Sequence, residues 1–480
     1  MKKRLTKKTI SISVLLFVLN VILLFALIFL LMEFNERREV INFIKDNYKQ
    51  VLFVAATIIV LSSLTYAYFY FECPKILANY PKIIECFVLL DLSLLLSAII
   101  GQVLNPGARP FAFLAIMAAT LLGRREAVFL NVIYSLIMFV IDINLIEQSD
   151  MWTSCAGLLI SFCSGMVVIF VSPMIKSRMQ SILLVFLLLI PIELIIGLME
   201  VVFAEDMAAN LILFGYGALG AFFSIMAYMI FLPVFELLFS ELTVFRLREL
   251  TSDDAKLIKK LKNEAPGTYN HSVVVAQLVE ACANAIGEDG ELARAAAYYH
   301  DVGKLKNPEM FTENQSEYNM HNELSPELSA DIIRSHTRDG ARLIKKNHLP
   351  EFFADVAVQH HGTMPIKFFY AKALKMSDGE INVATYSYSG PKPQTKIAAI
   401  IMIADAAEAA TRSLTDRSAA SVESLVRSII EERLDLEQFD DCDITMRELS
   451  IITTTIASSL SGVYHSRIAY PKIKMSKKKE

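Results

Sequence analysis

Up to about Ser240 the chain is a succession of long apolar runs, which constrains half of the fold before any motif is considered. A bilayer crossing takes about 20 consecutive, mostly apolar residues in a helix. Eight runs meet or approach that length: 9–32, 51–71, 83–104, 109–122, 126–145, 152–174, 180–203 and 209–240. Each is continuously apolar rather than alternating, which excludes a β-barrel porin. After Glu241 the composition becomes that of an ordinary soluble domain. The averages, 54% hydrophobic and 20% charged, lie only modestly beyond the usual values of about 45–50% and 25%. They blend two unlike halves. A fully soluble protein and a disordered chain are both excluded.

Loop charges orient the apolar half. With eight spans, one side receives the basic N-terminus (Lys2, Lys3, Arg4, Lys7, Lys8) and the loops 72–82, 123–125 and 175–179. Those loops carry Lys75, Lys82, Arg124, Arg125, Lys176 and Arg178, and the tail from Arg246 falls on the same side. The other side receives 33–50, 105–108, 146–151 and 204–208, where the charges are mixed or acidic. Basic loops mark the cytoplasmic face, so the N-terminus and the tail are expected there. Run 109–122 is short for a span, and a re-entrant segment is its alternative. Seven spans would split Arg124 and Arg125 from the tail, which the charges oppose. The first run is longer than a signal peptide and lacks a small-residue cleavage site, so it reads as an uncleaved anchor. Asp91, Glu193, Glu200 and Glu236 lie inside spans. No relay pattern links them, so they read as packed or helix-end groups rather than a transport path.

A net charge of −4 gives no global basic field, so a DNA or RNA polymer is not an expected partner. The lipid bilayer is one, and a second copy of the chain is entertained as another. The six cysteines are scattered with no C-x-x-C pair, which argues for free thiols.

The tail reads as all-α. Helical periodicity marks a polar linker helix at 241–262 and segments at 272–287, 291–301, 326–335, 351–361, 396–412, 420–434 and 446–464. Turn residues cluster at Ala265-Pro266-Gly267, over 306–325, and at Ser389-Gly390-Pro391-Lys392-Pro393. No Gly-rich phosphate loop of either common type occurs. The expected order is thus an anchor helix (1–32), a short outer loop (33–50), a seven-helix membrane domain (51–240), the linker helix (241–262) and a soluble all-α domain (263–480).

All eight histidines lie in the tail: His271, His300, His321, His336, His348, His360, His361 and His465. His300 adjoins Asp301, His360 adjoins His361, and Asp405 ends an apolar stretch from Ile400. Imidazole and carboxylate suit divalent manganese, iron, zinc or nickel. Facing helices of a bundle can gather them. An aspartate has two oxygens with which to bridge two metals, and such a pair suits hydrolysis of a phosphate ester. Singly, an H-D or H-H dipeptide means little; the ordered combination is what carries weight. His321, His348 and His465 sit in loop-like or terminal stretches and read as ordinary residues.

The order His271 … His300-Asp301 … His336 … His360-His361 … Asp405 resembles that of the HD-domain metal phosphohydrolases. The wording around it is similar to one branch, the seven-transmembrane HD receptors of the PgpH type that hydrolyse cyclic di-AMP. The shared stretches are Glu264-Ala-Pro-Gly-Thr-Tyr-Asn-His271-Ser, Tyr298-Tyr299-His300-Asp301-Val-Gly-Lys304, Gln359-His360-His361-Gly-Thr, Gly390-Pro-Lys-Pro-Gln-Thr-Lys396 and Tyr464-His-Ser-Arg-Ile-Ala-Tyr-Pro471. The resemblance spans about 241–472. It implies a two-metal site of manganese or iron. His271, His300, Asp301 and Asp405 would hold the first ion, and Asp301 would bridge to a second held by His336, His360 and His361. It implies hydrolysis of cyclic di-AMP to linear pApA. Lys304 would touch the phosphate as a point charge. Tyr299 would stack on adenine or simply pack, and Arg412 is a further substrate contact.

Two departures stand out. Only 33–50 lies where such receptors carry a large outer domain. No G-Y-P element follows His361, where Gly-Thr-Met-Pro stands instead, which favours cyclic di-AMP over cyclic di-GMP. The alternatives are an HD hydrolase of another nucleotide, such as cyclic di-GMP or a guanosine alarmone, and a nucleotide receptor without turnover.

Overall fold

The computed structural model describes residues 6–36, 45–145, 151–203, 207–315, 318–377 and 379–463. They divide into two compact units, Met1–Phe245 and Arg246–Glu480. Among the described residues the chain is all-α; the nearest thing to a strand is one bridge between Pro365 and Ser387.

The first unit has eight main helices: α1 (Lys7–Glu36), α2 (Tyr48–Phe71), α3 (Tyr80–Val103), α4 (Phe113–Leu121), α5 (Arg124–Leu145), α6 (Met151–Val171), α7 (Leu184–Phe203) and α8 (Met207–Leu238). Seven of them are long and apolar enough to cross a membrane; α4 is not. The first unit is a multi-pass membrane unit. Large apolar side chains such as Leu52, Phe186, Ile190 and Val201 stay more than half exposed, as a lipid-facing surface requires.

Run 109–122 departs from the expected single span. Its helix has nine residues, about 14 Å at ~1.5 Å per residue, or roughly half of a hydrocarbon core. The segment nevertheless traverses the unit. At one end Arg109 meets Asp142, three residues before the end of α5. At the other, Lys82 Nζ at the start of α3 donates to the Leu121 carbonyl (3.0 Å). The first half of this pass is therefore turn and the second half helix. Non-helical backbone survives at membrane depth only where protein encloses it. Here Ala108 and every residue from Phe111 to Ala118 are at most 4% exposed. The Ala112 N–H donates to Ser224 Oγ (3.3 Å). Gly220 on α8 lets the turn approach: a Cβ there would stand 2.8 Å from the Arg109 carbonyl oxygen and 2.9 Å from that of Gly107.

Two of the acidic residues in the spans have local partners, whereas Glu193 Oε2 is buried without one among the described residues. Asn20 donates to Asp91 (2.9 Å) and Arg178 pairs with Glu236 (2.7 Å). The side chain of Glu200 and the loops 146–150 and 204–206 lie outside the described residues, as do 37–44 and the stretch 464–471 with His465. All six cysteines are free.

The second unit is a helical bundle. Its main helices are α9 (Lys256–Glu264), α10 (Pro266–Ile286), α11 (Gly290–Tyr299), α12 (Pro326–Lys346), α13 (Glu351–Gln359), α14 (Lys367–Met376), α15 (Lys396–Thr411), α16 (Ala419–Asp435) and α17 (Met446–Val463). Instead of one linker helix over 241–262, two short helices, Val244–Leu250 and α9, flank a turn at 251–255. Ser and Asp there compete with helical hydrogen bonding. α14 was not foreseen, and α12 runs eleven residues past its expected end. Side-chain caps start the helices that matter to the site. Asp289 accepts from the Leu292 N–H (3.0 Å), Ser325 from Leu328 (3.3 Å) and Thr395 from Ala398 (3.2 Å). α15 is the core element: Ile397 to Ala404 are buried without interruption.

Candidate metal centre

Each chemically important side chain sits where a helix ends or crosses another. His271 is on α10, His300 caps α11, Asp301 follows it, His336 is on α12, His360 caps α13, His361 follows, and Asp405 is on α15. Two groups of ligand atoms form, each with its atoms within 4.8 Å of one another: His271, His300, Asp301 and Asp405, and His336, His360 and His361. Asp301 stands between them. Its Oδ2 lies 3.3 Å from His300 Nε2 and 3.8 Å from His271 Nε2. Its Oδ1 lies 3.3 Å from His336 Nε2 and 3.6 Å from His360 Nε2.

Gly303 permits this approach. A Cβ there would stand 1.9 Å from the His336 carbonyl oxygen and 2.5 Å from the Gly340 nitrogen. Any other residue would push the His300-Asp301 turn away from α12.

Ring orientation follows from the partner of each Nδ1. His300 donates to the Ala297 carbonyl (2.6 Å), His336 to Ile333 (2.5 Å) and His360 to Ala357 (2.9 Å). In each case the acceptor is three residues back on the ring's own helix. His271 instead uses Glu408, 2.6 Å away. With Nδ1 so occupied, Nε2 presents its lone pair inward.

The donor set fits a cation. His336 Nε2 and His360 Nε2 face each other at 3.3 Å, and two lone pairs so placed need a proton or a metal between them. His300 Nε2 and Asp301 Oδ1 are buried without a hydrogen-bond partner. Burial holds His360 and His361 below the ordinary histidine pKa, with neighbouring imidazoles adding to the effect. Both are thus neutral and ready to ligate. Burial alone would raise the Asp301 carboxyl; the Lys304 ammonium and His300 hold it well below the usual range. Burial alone would lower His271, yet its bonds to Asp405 and Glu408 push it up to about 9.

Lys304 is half-buried, with its Nζ 2.7 Å from both Asp301 Oδ2 and Glu313 Oε1. It is therefore a member of the site and not a solvated helix-end lysine. Tyr299 lies elsewhere. Its ring stacks on Phe353 (5.1 Å between centroids) and its hydroxyl donates to the Leu250 carbonyl (2.6 Å). The adenine-stacking reading of Tyr299 gives way to packing, because residues adjacent on a helix point apart. Arg412 touches the site only indirectly: it pairs with Glu408 (2.6 Å), which holds His271. His321 Nε2 bonds the Met310 carbonyl (2.8 Å), and His348 belongs to neither ligand group.

Three contributors were missed by sequence reasoning. Glu408 is one helical turn past Asp405, a spacing that shares a face. Glu313 stood in a stretch read only as a loop. Tyr388 stacks on His361 (4.3 Å, 26° between planes), and nothing local to it in the sequence marks that role.

Comparison with known proteins agrees with this architecture. Residues 48–243 match the family model described as a 7TM receptor with intracellular HD hydrolase, and 268–410 match the HD domain. The cyclic-di-AMP phosphodiesterase PgpH of Listeria monocytogenes is 47% identical over 264 residues, 55% of this chain and 37% of that protein. That of Bacillus subtilis is 48% identical over 241 residues, 50% of this chain and 34% of that protein. The chain thus spans little more than a third of the length of these relatives. The crystal structure of the Listeria PgpH HD domain in complex with cyclic di-AMP is 50% identical, covering 45% of this chain and 99% of that one, with a TM-score of 0.43. Taken together, the membrane unit and the HD domain that follows it make this chain a member of the seven-transmembrane HD-domain receptor family.

Proposed function

We propose that the chain is a membrane-anchored phosphodiesterase that hydrolyses cyclic di-AMP to linear pApA with two divalent ions, manganese or iron. The observation that carries this reading is the split carboxylate: the two oxygens of Asp301 face the two ligand groups separately. His271, His300, Asp301 and Asp405 hold one ion. His336, His360 and His361 hold the other, with Asp301 shared. Bound there, the two ions supply Lewis acidity and activate a water near neutral pH. The protein does the rest. Glu408 and the helix carbonyls fix the imidazoles, and Lys304 offers positive charge beside Asp301 for a phosphate. Identity to two cyclic-di-AMP phosphodiesterases supports the substrate. The loop charges support a cytoplasmic N-terminus and HD domain in a bacterial inner membrane.

The test is the full chain in detergent with manganese and a panel of cyclic di-AMP, cyclic di-GMP and a guanosine alarmone. Formation of pApA from cyclic di-AMP, lost in His300→Ala/Asp301→Ala, is expected. Absence of pApA, or hydrolysis unchanged in the double variant, overturns the reading.

A further inference from the structure

Two of the candidate ligands mark the open side of the metal centre. The side chains of His361 and Asp405 are 24% and 13% exposed, whereas those of His271, His300, Asp301, His336 and His360 are 6% or less. A substrate arriving from solvent therefore meets His361 and Asp405 first. Tyr388 stands on that side. Its ring lies along that of His361 and edge-on to that of His336, with centroids 4.3 and 6.0 Å away. The backbone is tied down to put it there. The Tyr388 N–H donates to the Met364 carbonyl (3.0 Å), the Ile366 N–H to the Tyr386 carbonyl (2.7 Å) and the Gln394 N–H to Gln359 Oε1 (3.0 Å). Gln359 and Met364 flank the His360-His361 turn, so the segment that carries Tyr388 is fastened to the one that carries those ligands.

The ring and the hydroxyl have different surroundings. Among the described residues, His361 is the one ligand histidine whose Nδ1 has no hydrogen bond; Asp405 Oδ2 is 3.8 Å from it. The Tyr388 stack supplies the orientation that a carbonyl or Glu408 supplies to the other rings. The Tyr388 hydroxyl also has no hydrogen-bond partner among the described residues, yet it lies near enough to Lys304, Asp405 and Asp301 for their charges to act on it. The neighbouring donors are engaged: Lys304 Nζ by Asp301 and Glu313, and four histidine Nδ1 atoms by Glu408 or helix carbonyls. A free phenol O–H on the open side is thus a donor that an incoming group can use. An anionic phosphodiester gains most from it, since hydrogen bonds to charged acceptors are about twice as strong as neutral ones.

We propose that Tyr388 is a further catalytic residue of this site: its hydroxyl donates a hydrogen bond to an oxygen of the phosphodiester under attack, while its ring keeps His361 oriented. This rests on the phosphodiesterase reading above and adds a substrate contact to it.

Tyr388→Phe removes the hydroxyl and keeps the stack; Tyr388→Leu removes both. Each is made in the full chain in detergent and compared with the parent in kcat/KM for cyclic di-AMP and, by calorimetry, in manganese affinity. The phenylalanine variant should lose about 10–100-fold in kcat/KM, the effect of deleting a hydrogen bond to a charged group, with manganese affinity unchanged. The leucine variant should lose activity and also bind manganese about tenfold more weakly. A phenylalanine variant as active as the parent overturns the proposal, and so does one whose manganese affinity falls in step with its activity. A leucine variant with parental manganese affinity overturns the orienting duty of the ring. A parent chain that cleaves a different nucleotide of the panel overturns the choice of substrate alone, and the same comparison is then made on that nucleotide. A parent chain that cleaves none overturns both readings.

Discussion

Both halves of the molecule bury charge, and they do so in opposite ways. In the membrane unit several charges are matched by an opposite neighbour: Arg109 by Asp142, Arg178 by Glu236, Lys82 by Glu85 and Glu241. In the HD unit seven side chains converge on two spots, and several inward-facing ring nitrogens meet only other acceptors. A matched pair satisfies most of its needs within the chain and holds one geometry. A convergent set of acceptors does not, and calls for a cation to complete it. The difference separates charge used to fix a fold from charge arranged to bind something.

That contrast can be broken from either side. The largest effect is expected from Asp301→Ala, which removes the group shared by both ligand sets. Hydrolysis of cyclic di-AMP should fall about 10⁴-fold, or ~5 kcal/mol of barrier, measured by product formation at saturating manganese. Arg109→Met strands Asp142 and should destabilise the membrane unit by about 3–5 kcal/mol. Arg109→Met/Asp142→Leu should recover most of it in thermal unfolding, because both charges then disappear. If the double variant is as unstable as the single, the matched-pair account fails. Glu408→Gln keeps the shape but weakens the hold on His271. Metal affinity should drop about 10–100-fold with an unchanged circular dichroism spectrum. A smaller effect concerns pH. In the metal-free protein His271, raised to about 9, gives stability that is full below its ordinary value near 6.5 and lost as pH rises through 9. Metal must displace that proton, so apparent affinity should climb about tenfold per pH unit up to 9 and then level off. Calorimetry in buffers of different ionisation enthalpy would count the proton; a pH-independent affinity contradicts this arrangement.

Much of this was legible in the sequence, for reasons that can be stated. Apolar run length reports directly on crossing the bilayer, so seven of the passes were plain. The pass at 109–122 was harder because hydropathy counts residues, whereas a turn covers more distance per residue than a helix. The residues that cluster as candidate ligands were readable because their order along the chain matches a known pattern. Glu408 was not, since a carboxylate in Glu408-Ala-Ala-Thr-Arg412 looks like one end of a solvated i,i+4 pair. It is such a pair with Arg412, but it is fully buried and its other oxygen holds His271. For Tyr299 the sequence left stacking and packing open, because adjacency in sequence to His300 does not fix adjacency in space; its ring packs on Phe353.

Three of the ligand histidines anchor Nδ1 on a carbonyl three residues back along their own helix. For His300 and His360 those carbonyls belong to the last turns of α11 and α13, where no following amide claims them. The rings thus terminate their helices as well as aim at the centre. Fraying at either helix end would randomise a tautomer and loosen a ligand in the same event. Amide exchange across the last turns of α11 and α13 therefore becomes a gauge of metal loading, slowing as the site fills and quickening when a chelator empties it.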